Sequence, residues 1–295
     1  MILVIGGATG SGKSALAIAL AKKLDGVVIN GDAFQVYQEL SIATAKPTPK
    51  ERAEAPHLLF DFVPLSEDYS VYLYQKDCRA ALQGALSQGK TPIIAGGTGL
   101  YIRSALYDYS FPEEEEAPHP SLSSLSNEEL HAYLEKIDPE EAKKVHPNNR
   151  VRAERAIEIY LREGKSKSEL LSAQTHQPIY PDVHFFGISQ ERDHLYEAVE
   201  ERVERMFEMG LLEEDRRLLE RYGRAPHAFR AIGVKELFPY FDGGCTLEEA
   251  KAAIKLNTRH YVKRQFTFFK RQFPMEWVSG EEEILSLLAQ GGKKE

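Results

Sequence analysis

The chain has 295 residues, 42% hydrophobic and 28% charged, and a formal charge of −8 from 37 basic against 45 acidic side chains. This is ordinary globular usage, enough for an extensive buried core, and it excludes a disordered chain. No apolar run approaches the ~18 residues of a membrane span, and two cysteines, Cys78 and Cys245, are too few for a disulfide framework or a CxxC zinc site.

The opening MILVI runs straight into glycines, without the basic start and long apolar middle of a secretion signal, which predicts a cytoplasmic protein. Short apolar runs at 2–5, 27–29, 92–95, 185–188 and 276–278 suit buried parallel strands. Helical periodicity fills 14–24, and again 70–88, where Ser70 is a candidate N-cap and Gly89 a stop. Strand, helix and strand joined by short links predict an α/β fold, a P-loop NTPase-like parallel sheet core with a helical insertion domain.

The texture changes at PEEEEAPHP followed by SLSSLS, a charged, Pro/Ser-rich stretch typical of a linker. A boundary there gives a core of 1–117 and 182–295 and an insertion of 118–181, with short helices at 127–136, 139–145, 150–163 and 166–173. Helices at 193–209, 212–222 and 247–273 complete the core. Although the whole chain is acidic, the window 251–275 holds seven Lys and Arg and no acid, so it is +7 while the remainder is −15. A basic element on an acidic body still steers a polyanion locally.

Gly7, Ala8, Thr9, Gly10, Ser11, Gly12, Lys13 and Ser14 fit G-x-x-x-x-G-K-[ST] between an apolar strand and an apolar helix. Backbone N–H groups in such a nest hold a phosphate chain, with the lysine as a point charge and the Ser14 hydroxyl as a Mg²⁺ ligand. The pattern points to a di- or triphosphate without saying which. Asp32, in Asn30-Gly31-Asp32, closes the second strand at the sheet edge where α/β proteins bind ligands. It is a metal ligand, a general base or a turn residue. Gly96-Gly97-Thr98-Gly99 follows the third strand with no acid to organise Mg²⁺, which argues against ordinary ATP hydrolysis. Three glycines there permit either close approach to a bulky ligand or a tight strand-to-helix turn.

These motifs together resemble the tRNA dimethylallyltransferases, also called tRNA isopentenyltransferases. The resemblance spans nearly the whole chain and rests on GGATGSGKS at 6–14, NGDAFQVYQELSIATAKP at 30–47, PHLLFDFVP at 56–64, IIAGGTGLYI at 93–102, HPNNRVRAERAIEIY at 146–160, FRAIGVKEL at 229–237 and NTRHYVKRQFTFFKR at 257–271. It implies transfer of a dimethylallyl group from dimethylallyl diphosphate to N6 of the adenosine 3′ to the anticodon, position 37, in tRNAs reading codons that begin with U. It further implies Mg²⁺ as cofactor, the tRNA anticodon stem-loop as partner, no membrane attachment and a monomer.

By the same resemblance, Asp32 is the base, Thr9 and Ser14 contact diphosphate and Mg²⁺ beside Lys13, and Arg205 clamps the leaving diphosphate. The implied tRNA-contacting stretches comprise Asp32, Ala33, Phe34 and Gln35, then Thr98, then Val151, Arg152, Ala153, Glu154 and Arg155, and finally Arg230 and Lys235. Arg150, Arg152 and Arg155 suit phosphates, and Gln35 suits a base edge. Tyr261, Phe266, Phe268 and Phe269 are expected in the core rather than as stacking platforms. Departures from the family pattern are Gly31, Ala33, Ala43 and Leu58, and a short, acidic segment between Phe111 and Asn127.

Two other readings use the same residues. A small-molecule P-loop kinase would have Asp32 deprotonate a hydroxyl under an arginine lid. A non-enzymatic RNA-binding protein would use the phosphate site as a ligand-gated switch. Neither explains why all the motifs occur together.

Overall fold

The computed structural model describes residues 1–111 and 122–291. These fall into two compact units, one of 1–106 with 180–295 and the other of 107–179. The junction expected at 117/118, and the acidic run from Glu113 to Glu116, lie outside the described residues.

The first unit is built on six strands: β1 (Ile2–Gly6), β2 (Gly26–Asn30), β3 (His57–Leu58), β4 (Thr91–Gly96), β5 (Val183–Ile188) and β6 (Glu276–Val278). All pair in parallel, in the order β3-β2-β4-β1-β5-β6. β1 and β2 are buried at every position, which is why they read as unbroken apolar runs rather than alternating ones. Register sets Gly6 beside Gly96 and Asn30 beside Ala95, so the carboxyl ends of the three central strands lie side by side. β3 escapes sequence reading because it is two residues long.

Helices α1 (Lys13–Lys23), α2 (Pro49–Glu54), α3 (Val71–Ser87) and α4 (Gly99–Leu106) belong to the first half of this unit. Ser70 is the N-cap of α3, as its position predicted, its side chain accepting the Leu73 N–H at 3.2 Å. Leu16, Ala17 and Leu20 of α1 pack with Leu3, Ile5, Val28, Ile93 and Phe186 of the strands into one core.

The second unit carries α5 (Asn127–Ile137), α6 (Pro139–Ala142), α7 (Arg150–Glu163) and α8 (Lys167–Ser172). α5 and α8 each start in a capping box, Ser126 with Glu129 and Ser166 with Glu169. Leu122, Leu130, Leu134, Val145, Ala153 and Ile157 form its own core.

The chain then returns to the first unit with α9 (Arg192–Glu208), α10 (Leu211–Tyr222), α11 (Phe238–Phe241), α12 (Leu247–Gln272) and α13 (Glu281–Gly291). Short 3₁₀ turns at His227–Arg230 and Lys235–Leu237 lie between α10 and α11. Among the described residues no helix is long and apolar enough to cross a membrane.

Candidate active site

The loop between β1 and α1 needs glycine where its backbone turns left-handed: φ is +86° at Gly10 and +85° at Gly12. Gly12 caps α1 without a side-chain hydrogen bond, leaving the first-turn N–H groups unclaimed by any cap. Thr9, Gly10, Gly12, Lys13 and Ser14 line a cavity of about 970 Å³. The other loop residues do not line it. Ala8 packs with Leu195, Val199 and Val262, and Ser11 is buried.

Lys13 Nζ donates to the Ala8 carbonyl. Burial, and after it the charge of Arg202, lower the Lys13 pKa to about 8 against the opposing pull of Asp32.

Asp32 is set by the turn that ends β2. Asn30 Oδ1 accepts the Asp32 N–H at 2.8 Å, while its Nδ2 donates to the carbonyls of Asp32 and Leu59 at 2.9 and 3.0 Å. Asp32 Oδ1 accepts the Phe34 N–H at 3.0 Å, and the Ala33 N–H donates to Thr98 Oγ1 at 3.0 Å. Burial raises the Asp32 carboxyl above the usual range, opposed by the Phe34 N–H and then by Lys13 and Arg202.

A second cavity of about 200 Å³ is also lined by Asp32, with Phe34, Arg230, Lys235, Tyr261 and Arg264 among its other walls. Thr9, Asp32, Thr44, Arg202 and Met206 line both cavities, so the carboxylate stands where the two meet.

The arginine acting on Asp32 and Lys13 is Arg202, a residue that sequence reading passed over in favour of Arg205. Both line the larger cavity, but Arg202 is recessed and reaches the smaller one as well, while Arg205 is exposed. The signal was present in α9: Ala198, Arg202, Arg205, Met206 and Met209 repeat at helical spacing along one face, and all line the larger cavity.

Several expected contacts are reassigned. Gln35 lines the larger cavity, but its Nε2 is spent on the carbonyls of Thr44 and Ala45 at 3.0 and 3.2 Å. In the second unit Arg150 is a brace, donating to the carbonyls of Leu125 and Leu122 at 2.6 and 2.8 Å and pairing with Glu154 at 2.8 Å. Ala153 is in that unit's core and offers no surface, whereas Val151, Arg152 and Arg155 are exposed. Tyr261 forms cavity wall rather than core. Phe266 is 42% exposed, and Phe269 is fully buried as expected.

The glycines at the end of β4 and just beyond it are demanded by packing, and Gly96 and Gly97 also line the larger cavity. A Cβ at Gly96 would lie 2.1 Å from the Gly31 backbone, at Gly97 2.0 Å from Gln265 Nε2, and at Gly99 2.3 Å from the Phe268 ring. The basic window is partly neutralised: Lys251 and Lys255 pair with Glu204, and Arg259 with Glu200, both acids on α9.

The rest of the larger cavity is held by side chains that sequence reading left unassigned. Glu214 of α10 accepts the N–H groups of Ser41, Ile42 and Ala43 at 3.0, 2.9 and 3.2 Å. Buried Lys46 donates to the Tyr37 carbonyl and pairs with Asp61 at 2.7 Å.

Known proteins are similar to this chain along almost its whole length. A family model described as IPP transferase matches residues 35–272, and one described as isopentenyl transferase matches 1–67. A protein of Anoxybacillus flavithermus named tRNA dimethylallyltransferase is 44% identical over 96% of this chain and 92% of its own length. The crystal structure of a tRNA delta(2)-isopentenylpyrophosphate transferase from Staphylococcus epidermidis, 38% identical, superposes with a TM-score of 0.73 over 100% of this chain and 99% of that one. A eukaryotic dimethylallyltransferase acting on tRNA, 30% identical, superposes with a TM-score of 0.81 over 99% of this chain and 77% of that one. The sheet with its phosphate loop, the carboxylate at its edge and this similarity along the chain agree: the protein belongs to the IPP transferase family.

Proposed function

We propose that the chain transfers a dimethylallyl group from dimethylallyl diphosphate to N6 of the adenosine 3′ to the anticodon in tRNAs reading codons that begin with U. The observation that carries this reading is Asp32 at the meeting point of two cavities, one floored by a phosphate loop and the other walled by aromatic and basic side chains. A diphosphate on the loop and a flipped-out base in the smaller cavity meet at that carboxylate.

The bond from the allylic carbon to the diphosphate oxygen breaks as the bond from that carbon to N6 forms. Positive charge develops on carbon and negative charge on the leaving group, where Lys13 and Arg202 lie to balance it. The N6 proton passes to the Asp32 carboxylate, whose raised pKa brings its basicity closer to working pH. Thr9, lining both cavities, flanks the diphosphate.

The donor set fits Mg²⁺. Ser14 lines the cavity beside Lys13, and its hydroxyl, with water and diphosphate oxygens, would supply the oxygen ligands that a Mg²⁺ ion takes. When bound, the ion neutralises charge on the diphosphate. Arg230, Lys235 and Arg264 on one unit, and Val151, Arg152 and Arg155 on the other, supply surfaces for tRNA. The reading carries with it a monomer acting in the cytoplasm. The kinase alternative is disfavoured because β4 ends in Gly96, with no acid at the strand end.

The test is incubation with unmodified tRNA, Mg²⁺ and dimethylallyl diphosphate, then nucleoside mass spectrometry, with Asp32→Ala in parallel. A dimethylallyl mass gain on the adenosine 3′ to the anticodon, lost in the variant, is the expected result. No gain from folded, tRNA-bound protein would overturn the reading.

A further inference from the structure

One buried side chain connects α12 to both loops of the site, and the reaction scheme above does not use it. Gln265 is 3% exposed. Its Oε1 accepts the Thr9 N–H at 2.8 Å, and its Nε2 donates to the Gly97 carbonyl at 3.0 Å. One turn earlier on the helix, Tyr261 lines the smaller cavity together with Asp32. Thr98 Oγ1 accepts the Ala33 N–H. Gln265 therefore ties the phosphate loop at Thr9 to Gly97, whose chain neighbour Thr98 holds the residue beside Asp32.

The captured group matters because N–H groups of a phosphate loop ordinarily point at the ligand. Gln265 withholds one of them and so fixes the peptide plane of Thr9, a residue lining both cavities. The site is built for this contact: Gly97 has no room for a side chain only because the Gln265 amide occupies the space.

We propose that Gln265 is a positioning residue for prenyl transfer, holding Thr9 and Gly97 so that the allylic carbon and the attacking amine meet at the junction of the two cavities. This rests on the transferase reading. Misplacement of about 1 Å in such a geometry costs on the order of 10²-fold in rate.

The test compares Gln265→Met, Gln265→Ala, Gly97→Ala and the double variant Gln265→Ala/Gly97→Ala. Gln265→Met keeps the core filled but loses both hydrogen bonds. Gly97→Ala displaces the carboxamide while leaving Gln265 in place, since the new Cβ would fall 2.0 Å from Nε2. Single-turnover transfer at saturating donor and tRNA is measured beside tRNA affinity and thermal unfolding.

Gln265→Met and Gly97→Ala are each expected to slow transfer by roughly 10- to 100-fold, with tRNA affinity within about threefold. The double variant should be no slower than Gln265→Ala, because removing the amide removes the clash. Undiminished rates in Gln265→Met and Gly97→Ala, loss of thermal stability alone, or costs that multiply in the double variant would each overturn the positioning role. Absence of transfer by the unaltered protein would instead refute the transferase reading itself.

Discussion

Asp215 on α10 is fully buried, and neither carboxylate oxygen has a hydrogen-bond partner among the described residues. Burial, and after it the carboxylates of Glu214 and Glu236, push its pKa from 3.8 to about 8. The folded protein therefore carries Asp215 neutral at pH 7, whereas the unfolded chain ionises it. Holding a proton across the roughly three pH units from 3.8 to 7, at ~1.36 kcal/mol per unit, costs the folded state about 4 kcal/mol.

The sign follows from proton binding. Between about pH 4 and pH 8 the folded state holds the extra proton, so stability falls as pH rises through that window and levels off above it. Asp215→Asn removes the titration at nearly constant volume. Its gain should be near zero at pH 4, about 3–4 kcal/mol at pH 7, and flat above pH 8. Urea unfolding followed through Trp277, the single tryptophan and part of β6 in the same unit, measures this between pH 4.5 and 9. A gain independent of pH, or a variant less stable throughout, would refute the reasoning.

Arg202→Ala should lower the transfer rate on the order of 10²- to 10³-fold and Arg205→Ala less than tenfold, because only Arg202 is recessed against both Asp32 and Lys13; steady-state kinetics of the two variants decide it. With Lys13 lowered to about 8, the unliganded protein loses that positive charge as pH rises through 8, so dimethylallyl diphosphate should bind more weakly from pH 7 to 9. Lys13→Arg should flatten that profile in a direct titration, and an equal slope in both proteins would count against the assignment. Glu200→Gln with Glu204→Gln frees Lys251, Lys255 and Arg259 from their α9 partners. Tighter tRNA binding and a steeper salt dependence are expected, and an unchanged salt slope would show that α12 does not meet phosphates.

Much of the fold could be read directly along the chain. Buried parallel strands betray themselves as unbroken apolar runs, and the phosphate loop by glycines that its left-handed turns require. Asp32 was legible because a strand end and its turn are encoded within a few residues. Contacts made across long stretches of chain were not. The Thr9 N–H finds Gln265 across 256 positions, and Glu214 finds Ile42 across 172.

The same limit explains the reassignments. Arg202 and Arg205 are equally good helix residues by pattern, and only the packing of α9 beside the loop decides which faces Asp32. The glycines at the end of β4 and just beyond it are demanded by the Gly31 backbone, Gln265 and Phe268, and the cations of α12 are answered by acids on α9, neighbours that no local spacing names. Sequence by itself determined every strand but the two-residue β3, the phosphate loop and the carboxylate, because backbone conformation and hydrophobic periodicity are local. Tertiary structure alone decided which side chains surround them, because burial and charge pairing depend on residues that meet only after the chain has folded.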